Sequence, residues 1–237
     1  MKTLPSYHHK SVATSSCNYA QVIFPTTTGA VACMQEWGFF QSPRSEHSLV
    51  EKMKMEVQEF QIFRWKRRRS FGQTSEIGFG QAFVLSEEKK LNWGDRFYMI
   101  TLPTYLRNPH LFSNLPPAFR ETLEAYSVEL KHLAKKLLYL MLEALGMDPN
   151  DMRLLFEEGQ QGMRMNYYPL CPEPELVIGL NSHSDAVGLT ILLQVNEMEG
   201  LQIRKNGVWV PIKPLPNAFV INIGDIMEII SNGIYLV

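Results

Sequence analysis

Apolar residues recur at intervals of three and four along one long stretch of this chain, then give way to short alternating runs. Phe119, Leu123, Tyr126, Leu130, Leu133, Leu137 and Met141 share one stripe at that spacing, which predicts a helix from Pro116-Pro117 to Leu145 with Gly146 as its C-terminal cap. Leu49, Met53, Val57 and Phe60 predict a second helix over 48–63, and Ala30 to Phe40 reads as a short helix running into a strand. Asp148 or Asn150 is placed to cap a shorter helix ending near Gly159. Beyond Gly162 the runs become β-branched and aromatic: 163–168, 176–180, 189–195, 201–204, 208–212 and 218–223, separated by Gly, Pro and Asn. Strands at about ten-residue intervals indicate a sandwich, jelly roll or barrel, and helices followed by antiparallel strands make the fold class α+β.

Composition narrows the function classes. With 237 residues, 45% of them hydrophobic and 20% charged, the chain has the make-up of an ordinary globular protein. The longest apolar run, Leu137 to Leu142, is far short of the roughly 20 residues that span a membrane. The net charge of −1 provides no global attraction for nucleic acid, although residues 1–70 carry ten Lys/Arg against five Asp/Glu. Most of that excess is Arg64-Trp65-Lys66-Arg67-Arg68-Arg69, which is open to two readings, a solvated charged face or a nucleic-acid patch. Cys17, Cys33 and Cys171 have no CxxC spacing, which argues against a disulfide framework or a zinc knuckle and favours a reducing, cytoplasmic setting.

The candidate chemistry lies in Asn181-Ser182-His183-Ser184-Asp185. On an extended segment, a histidine and an aspartate two residues apart point to the same side and can grip one metal ion. Imidazole and carboxylate, with a further histidine from elsewhere, make the facial triad that holds Fe(II) with positions left open. A tripeptide of this form is by itself more often a surface turn. A Ser-His-Asp hydrolase is the poorest reading, because neighbours on one strand cannot form the relay.

The surrounding motifs are more specific. Arg164-Met165-Asn166-Tyr167-Tyr168-Pro169, Cys171-Pro172, His183-Ser184-Asp185, Leu189-Thr190, Gly200-Leu201-Gln202, Trp209-Val210 and Asn217 to Asp225 resemble, in order, the landmarks of the plant Fe(II)/2-oxoglutarate-dependent dioxygenases. Glu36 to Gln41, Gly78-Phe79-Gly80 and Asp95 to Leu102 are similar to that family's N-terminal region, and the likeness is strongest to its senescence-related and alkaloid O-demethylase-like branch. The resemblance implies a double-stranded β-helix (jelly roll) with helices packed outside it. Residues 1–29 would be an irregular extension, 30–158 the helical region and 159–237 a partial dioxygenase domain. It further implies that His183 and Asp185 bind Fe(II), that Tyr168 contacts 2-oxoglutarate and that Asn166 lies nearby. A small specialised metabolite and O2 would be the other reactants, with ascorbate as an optional accessory, no membrane partner and release of succinate and CO2.

The chain also departs from the family pattern. Gln41 to His47 replaces an Asn-His-Gly turn, and 61–70 replaces an acidic Leu-Pro segment. After Tyr235 the family continues to its third iron ligand, a histidine, and to the arginine that pairs with 2-oxoglutarate, whereas here Leu236-Val237 follows. The expectation is therefore a C-terminally truncated member of weak or no activity, with a non-enzymatic role beside an intact paralogue as the alternative.

Overall fold

The computed structural model describes residues 27–43, 47–66, 78–81, 91–148, 150, 157 and 159–237. The first helix, α1 (Thr27–Trp37), runs into β1 (Phe39–Pro43), and α2 (His47–Lys66) follows. Strands β2 (Gly78–Gln81), β3 (Leu91–Asn92) and β4 (Asp95–Leu102) come next, then the short α3 (Pro109–Ser113) and the long α4 (Pro117–Ala144). The second half holds β5 (Gln161–Tyr167), β6 (Val177–Ile178), β7 (Leu189–Leu192), β8 (Gln202–Lys205), β9 (Val208–Pro211), β10 (Ala218–Ile223) and α5 (Asp225–Ile230).

The helix over 117–144 matches its periodicity, since Phe119, Leu123, Tyr126, Leu137, Leu138, Met141 and Leu142 are buried. It ends at Gly146, whose φ of +69° is the left-handed conformation that a helix cap requires and glycine adopts without strain. Phe60 of α2 joins this stripe to the sheet, its ring 5.0 Å from Phe119 and 5.5 Å from Phe97 of β4. Strands in the first half depart from the expected order of helices first and strands afterwards. β4 pairs antiparallel with both β2 and β5, and β3 pairs parallel with β6. Residues 151–156 of the shorter helix expected before Gly159 and residues 67–69 of the basic run lie outside the described residues. Among the side chains of 64–69, none is described.

The sheet that positions the site has the order β1-β10-β7, all antiparallel. Both faces of β10 are used. Phe219, Ile221 and Ile223 enter the main core with α4, whereas Val220 packs with Ile203 and Ile212 of the β8–β9 hairpin region. Asn206 and Gly207, at φ +51° and +80°, turn that hairpin with the twist that two-residue loops favour. Gln41 is a buried tie: its Nε2 donates to the Lys213 carbonyl at 2.9 Å and its Oε1 accepts from the Leu215 N–H at 2.8 Å.

Tyr235 is fully buried, and its hydroxyl donates at 2.6 Å to the carbonyl of Met141. That carbonyl is one of the last four of α4, which have no partner within the helix. Tyr235→Phe removes the donor and is expected to cost about 1–2 kcal/mol in a urea melt at neutral pH. Burial also pushes the Tyr235 phenol above its ordinary value of 10.0. Both folded and unfolded forms are protonated below that value, so the group adds no pH dependence there. Above it the unfolded chain releases the proton first, so stability falls as pH rises. The loss is expected to be shallower in Tyr235→Phe, as read from melts at increasing alkaline pH.

Candidate metal centre

The segment from Asn181 to Gly188 is an irregular loop rather than the extended strand assumed from the spacing, yet it brings the two expected side chains together. His183 Nε2 lies 3.6 Å from Asp185 Oδ1, with the side chains 45% and 29% exposed, open enough for small molecules to reach. His183 Nδ1 is 2.8 Å from the Asn181 carbonyl. A carbonyl only accepts, so Nδ1 is the donor in this contact, and Nε2 is the ring nitrogen turned toward Asp185. The loop is anchored through the Asn181 N–H, which donates at 2.9 Å to Oδ1 of Asn92, the last residue of β3.

Asp185 is held from the sheet. On the face of β10 that carries Val220, the next inward position is Asn222, directly opposite Thr190 of β7. Thr190 Oγ1 donates to Asp185 Oδ2 at 2.7 Å, and Asn222 Nδ2 donates to the same oxygen at 2.9 Å. Both lie within the motifs Leu189-Thr190 and Asn217 to Asp225, but the sequence assigns neither a role. The available signal was one polar side chain, Asn222, among the buried apolar positions of β10. The backbone of the loop is fixed as well: the Asp185 carbonyl accepts from the N–H groups of Val187 at 2.8 Å and Asp225 at 2.9 Å.

Asn166 and Tyr168 lie on and just beyond β5. Met163 and Met165 face the core from this strand, so Arg164 and Asn166 emerge on the other face, and Arg164 Nε donates to Asn166 Oδ1 at 2.8 Å. The Tyr168 ring rests on Gly94, where an added Cβ would come within 2.8 Å of it, and lies beside Gly179 at the end of β6. Trp93 reinforces this junction, its Nε1 donating to the Pro169 carbonyl at 2.8 Å and its backbone N–H to Ile178 at 2.6 Å. Burial raises the Tyr168 phenol, opposed by the positive charge of Arg164, so the hydroxyl stays a hydrogen-bond donor at neutral pH. The β3–β6 pair thus connects the Tyr168 seat to the loop that carries His183. Among the described residues, no group of three or more His, Cys, Asp or Glu could hold a metal ion, so no third side chain of these types joins His183 and Asp185. His110 lies in α3 and His132 in α4.

Helices packed on mostly antiparallel sheets, with a histidine and a carboxylate side by side on one loop, are the setting in which the likeness to known proteins falls. Residues 159–236 match the 2OG-Fe(II) oxygenase superfamily. The oxoglutarate-dependent flavonoid 7-O-demethylase 1 of Ocimum basilicum is 57% identical over 208 residues, covering 86% of this chain and 56% of that protein. Thebaine 6-O-demethylase of Papaver somniferum is 52% identical over 211 residues, covering 86% and 58%. The crystal structure of JOX2 in complex with 2OG, Fe and JA matches the fold with a TM-score of 0.81 at 31% identity, covering 89% of this chain and 64% of that one. The core is thus of the jelly-roll type seen in such oxygenases. The chain spans a little over half the length of the two demethylases. Among the described residues no helix is long and apolar enough to cross a membrane.

Proposed function

We propose that the chain is an Fe(II)- and 2-oxoglutarate-dependent oxygenase acting on a small specialised metabolite, with His183 and Asp185 as iron ligands and Tyr168 and Asn166 at the cosubstrate. The observation that carries this reading is the preset pair of donors. The hydrogen bond at Nδ1 selects the tautomer whose Nε2 can ligate. Nε2 and Oδ1, 3.6 Å apart, can both reach one divalent ion at the usual bond length of about 2.1 Å.

In this reading the bound iron supplies the oxidising chemistry, and the protein contributes position. His183 and Asp185 would hold the ion, and with two ligands from the described residues it would keep positions for the cosubstrate and oxygen. The Tyr168 hydroxyl, kept protonated, donates to a cosubstrate carboxylate, and Asn166 shares that face through its link to Arg164. The similarity to two O-demethylases favours removal of a methyl group from an ether, which consumes O2 and 2-oxoglutarate and releases the alcohol, formaldehyde, succinate and CO2. Hydroxylation and desaturation of similar metabolites use the same site, with ascorbate as an optional accessory. With two protein ligands among the described residues, slow turnover is part of the proposal.

Anaerobic titration with Fe(II), followed by an aerobic assay for succinate and formaldehyde with methoxylated flavones, tests it. Saturable iron binding at one site with slow, 2-oxoglutarate-dependent succinate release is expected. A chain that binds no iron overturns the reading of the site, and turnover at rates ordinary for enzymes, about 10 per second, overturns the weak-activity part.

A further inference from the structure

We infer that Thr190 and Asn222 are positioning residues that lock Asp185 into binding through one oxygen. This inference rests on the proposed iron site. An ionised carboxylate has about four lone-pair positions, two on each oxygen. The Thr190 hydroxyl at 2.7 Å and the Asn222 amide at 2.9 Å occupy those of Oδ2, and the remaining oxygen, Oδ1, is the one 3.6 Å from His183 Nε2.

Three consequences follow from that arrangement. With Oδ2 occupied, the carboxylate cannot swing round to chelate an ion with both oxygens, so one more coordination position stays open to incoming molecules. Both donors are neutral, so they orient the carboxylate without cancelling the charge that attracts the ion. Their common origin also matters, because Thr190 and Asn222 face each other across β7 and β10, and a slip of one residue in that register would turn one of them to the opposite face. The second Asn222 amide proton has only a longer contact, 3.3 Å to the Ile223 carbonyl.

The test uses Mn(II) as probe with the full chain, and reads free aqueous Mn(II) by its electron paramagnetic resonance signal. Thr190→Val and Asn222→Leu keep the approximate shape and remove the donors; Thr190→Ser restores a hydroxyl. Each of the first two is expected to lower Mn(II) affinity by about 10- to 100-fold, the range found when groups that orient a metal ligand are removed. Thr190→Ser is expected to bind within a few-fold of the wild type. Metal-free melting temperatures separate this effect from unfolding, and if Asn222→Leu melts early, the comparison of Thr190→Val with Thr190→Ser decides. Wild-type affinity in the donor-less variants, or a Thr190→Ser as weak as Thr190→Val, overturns the clamp. Failure of the wild type to take up Mn(II) overturns the iron site itself and the clamp with it.

Discussion

Asp185→Asn is expected to abolish metal binding with little loss of stability. The amide oxygen can take the place of Oδ2 and keep the bonds from Thr190 and Asn222. The amide nitrogen then lies where Oδ1 faced His183, and an NH2 group has no lone pair to offer an ion. Loss of a direct ligand exceeds the roughly 10- to 100-fold effect of disturbing its supports, so Mn(II) affinity is expected to fall by more than about a hundredfold. The metal-free melting temperature is expected to move by only a few degrees. Calorimetric titration and a thermal melt measure the two quantities on the same sample. Wild-type affinity in this variant would remove Asp185 from the site.

Gly224→Ala is expected to lose both properties together. Gly224 sits at the start of α5 with φ −111°, a conformation any residue adopts, so the constraint is space. An added Cβ would lie 2.1 Å from the Val187 carbonyl oxygen and 2.7 Å from that of Asp185. Both obstacles are backbone and cannot rotate away. The loop that carries Asp185 is bonded to α5 there: the N–H groups of Gly224, Asp225 and Ile226 donate to the carbonyls of Gly188, Asp185 and Val187 at 3.2, 2.9 and 3.2 Å. A methyl group must push the loop off the helix and carry Asp185 away from Thr190 and Asn222. Overpacking against rigid neighbours costs about 3 kcal/mol, which a urea melt resolves, and Mn(II) binding is expected to weaken in the same variant. A Gly224→Ala chain as stable as the wild type would mean that the close approach does not exist in solution. Comparison of the two variants separates ligand chemistry from loop placement.

Much of the architecture was legible because it is local. The stripe from Phe119 to Met141 repeats at the helical period, and a 28-residue helix buries it as that period requires. The strand runs after Gly162 were visible for the same reason. Strand β4 was less so. Its Phe97, Met99 and Thr101 do alternate inward, but the run was noticed only as a family-like stretch and not as a strand between two others. The pairing of β1 with β10, Phe39 against Asn222, leaves no mark in either segment alone, because register across so long a separation is set by which faces find a core.

The site divides along the same line. His183 and Asp185 were identified from their spacing and from the family motifs around them, and Asn166 and Tyr168 from the resemblance alone. Their spacing implies a strand that points both side chains one way, whereas in the fold they meet on a loop pinned by Asn92 and by α5. Short-range order thus came from the sequence by itself: residue types and spacing determine helical periods, turn positions and the presence of a histidine–carboxylate pair. Only the tertiary structure decided which carboxylate oxygen faces the histidine, because Thr190 and Asn222 reach Asp185 only once β7 and β10 have paired. Hydrogen bonds between distant strands depend on packing, and packing is a property of the whole chain.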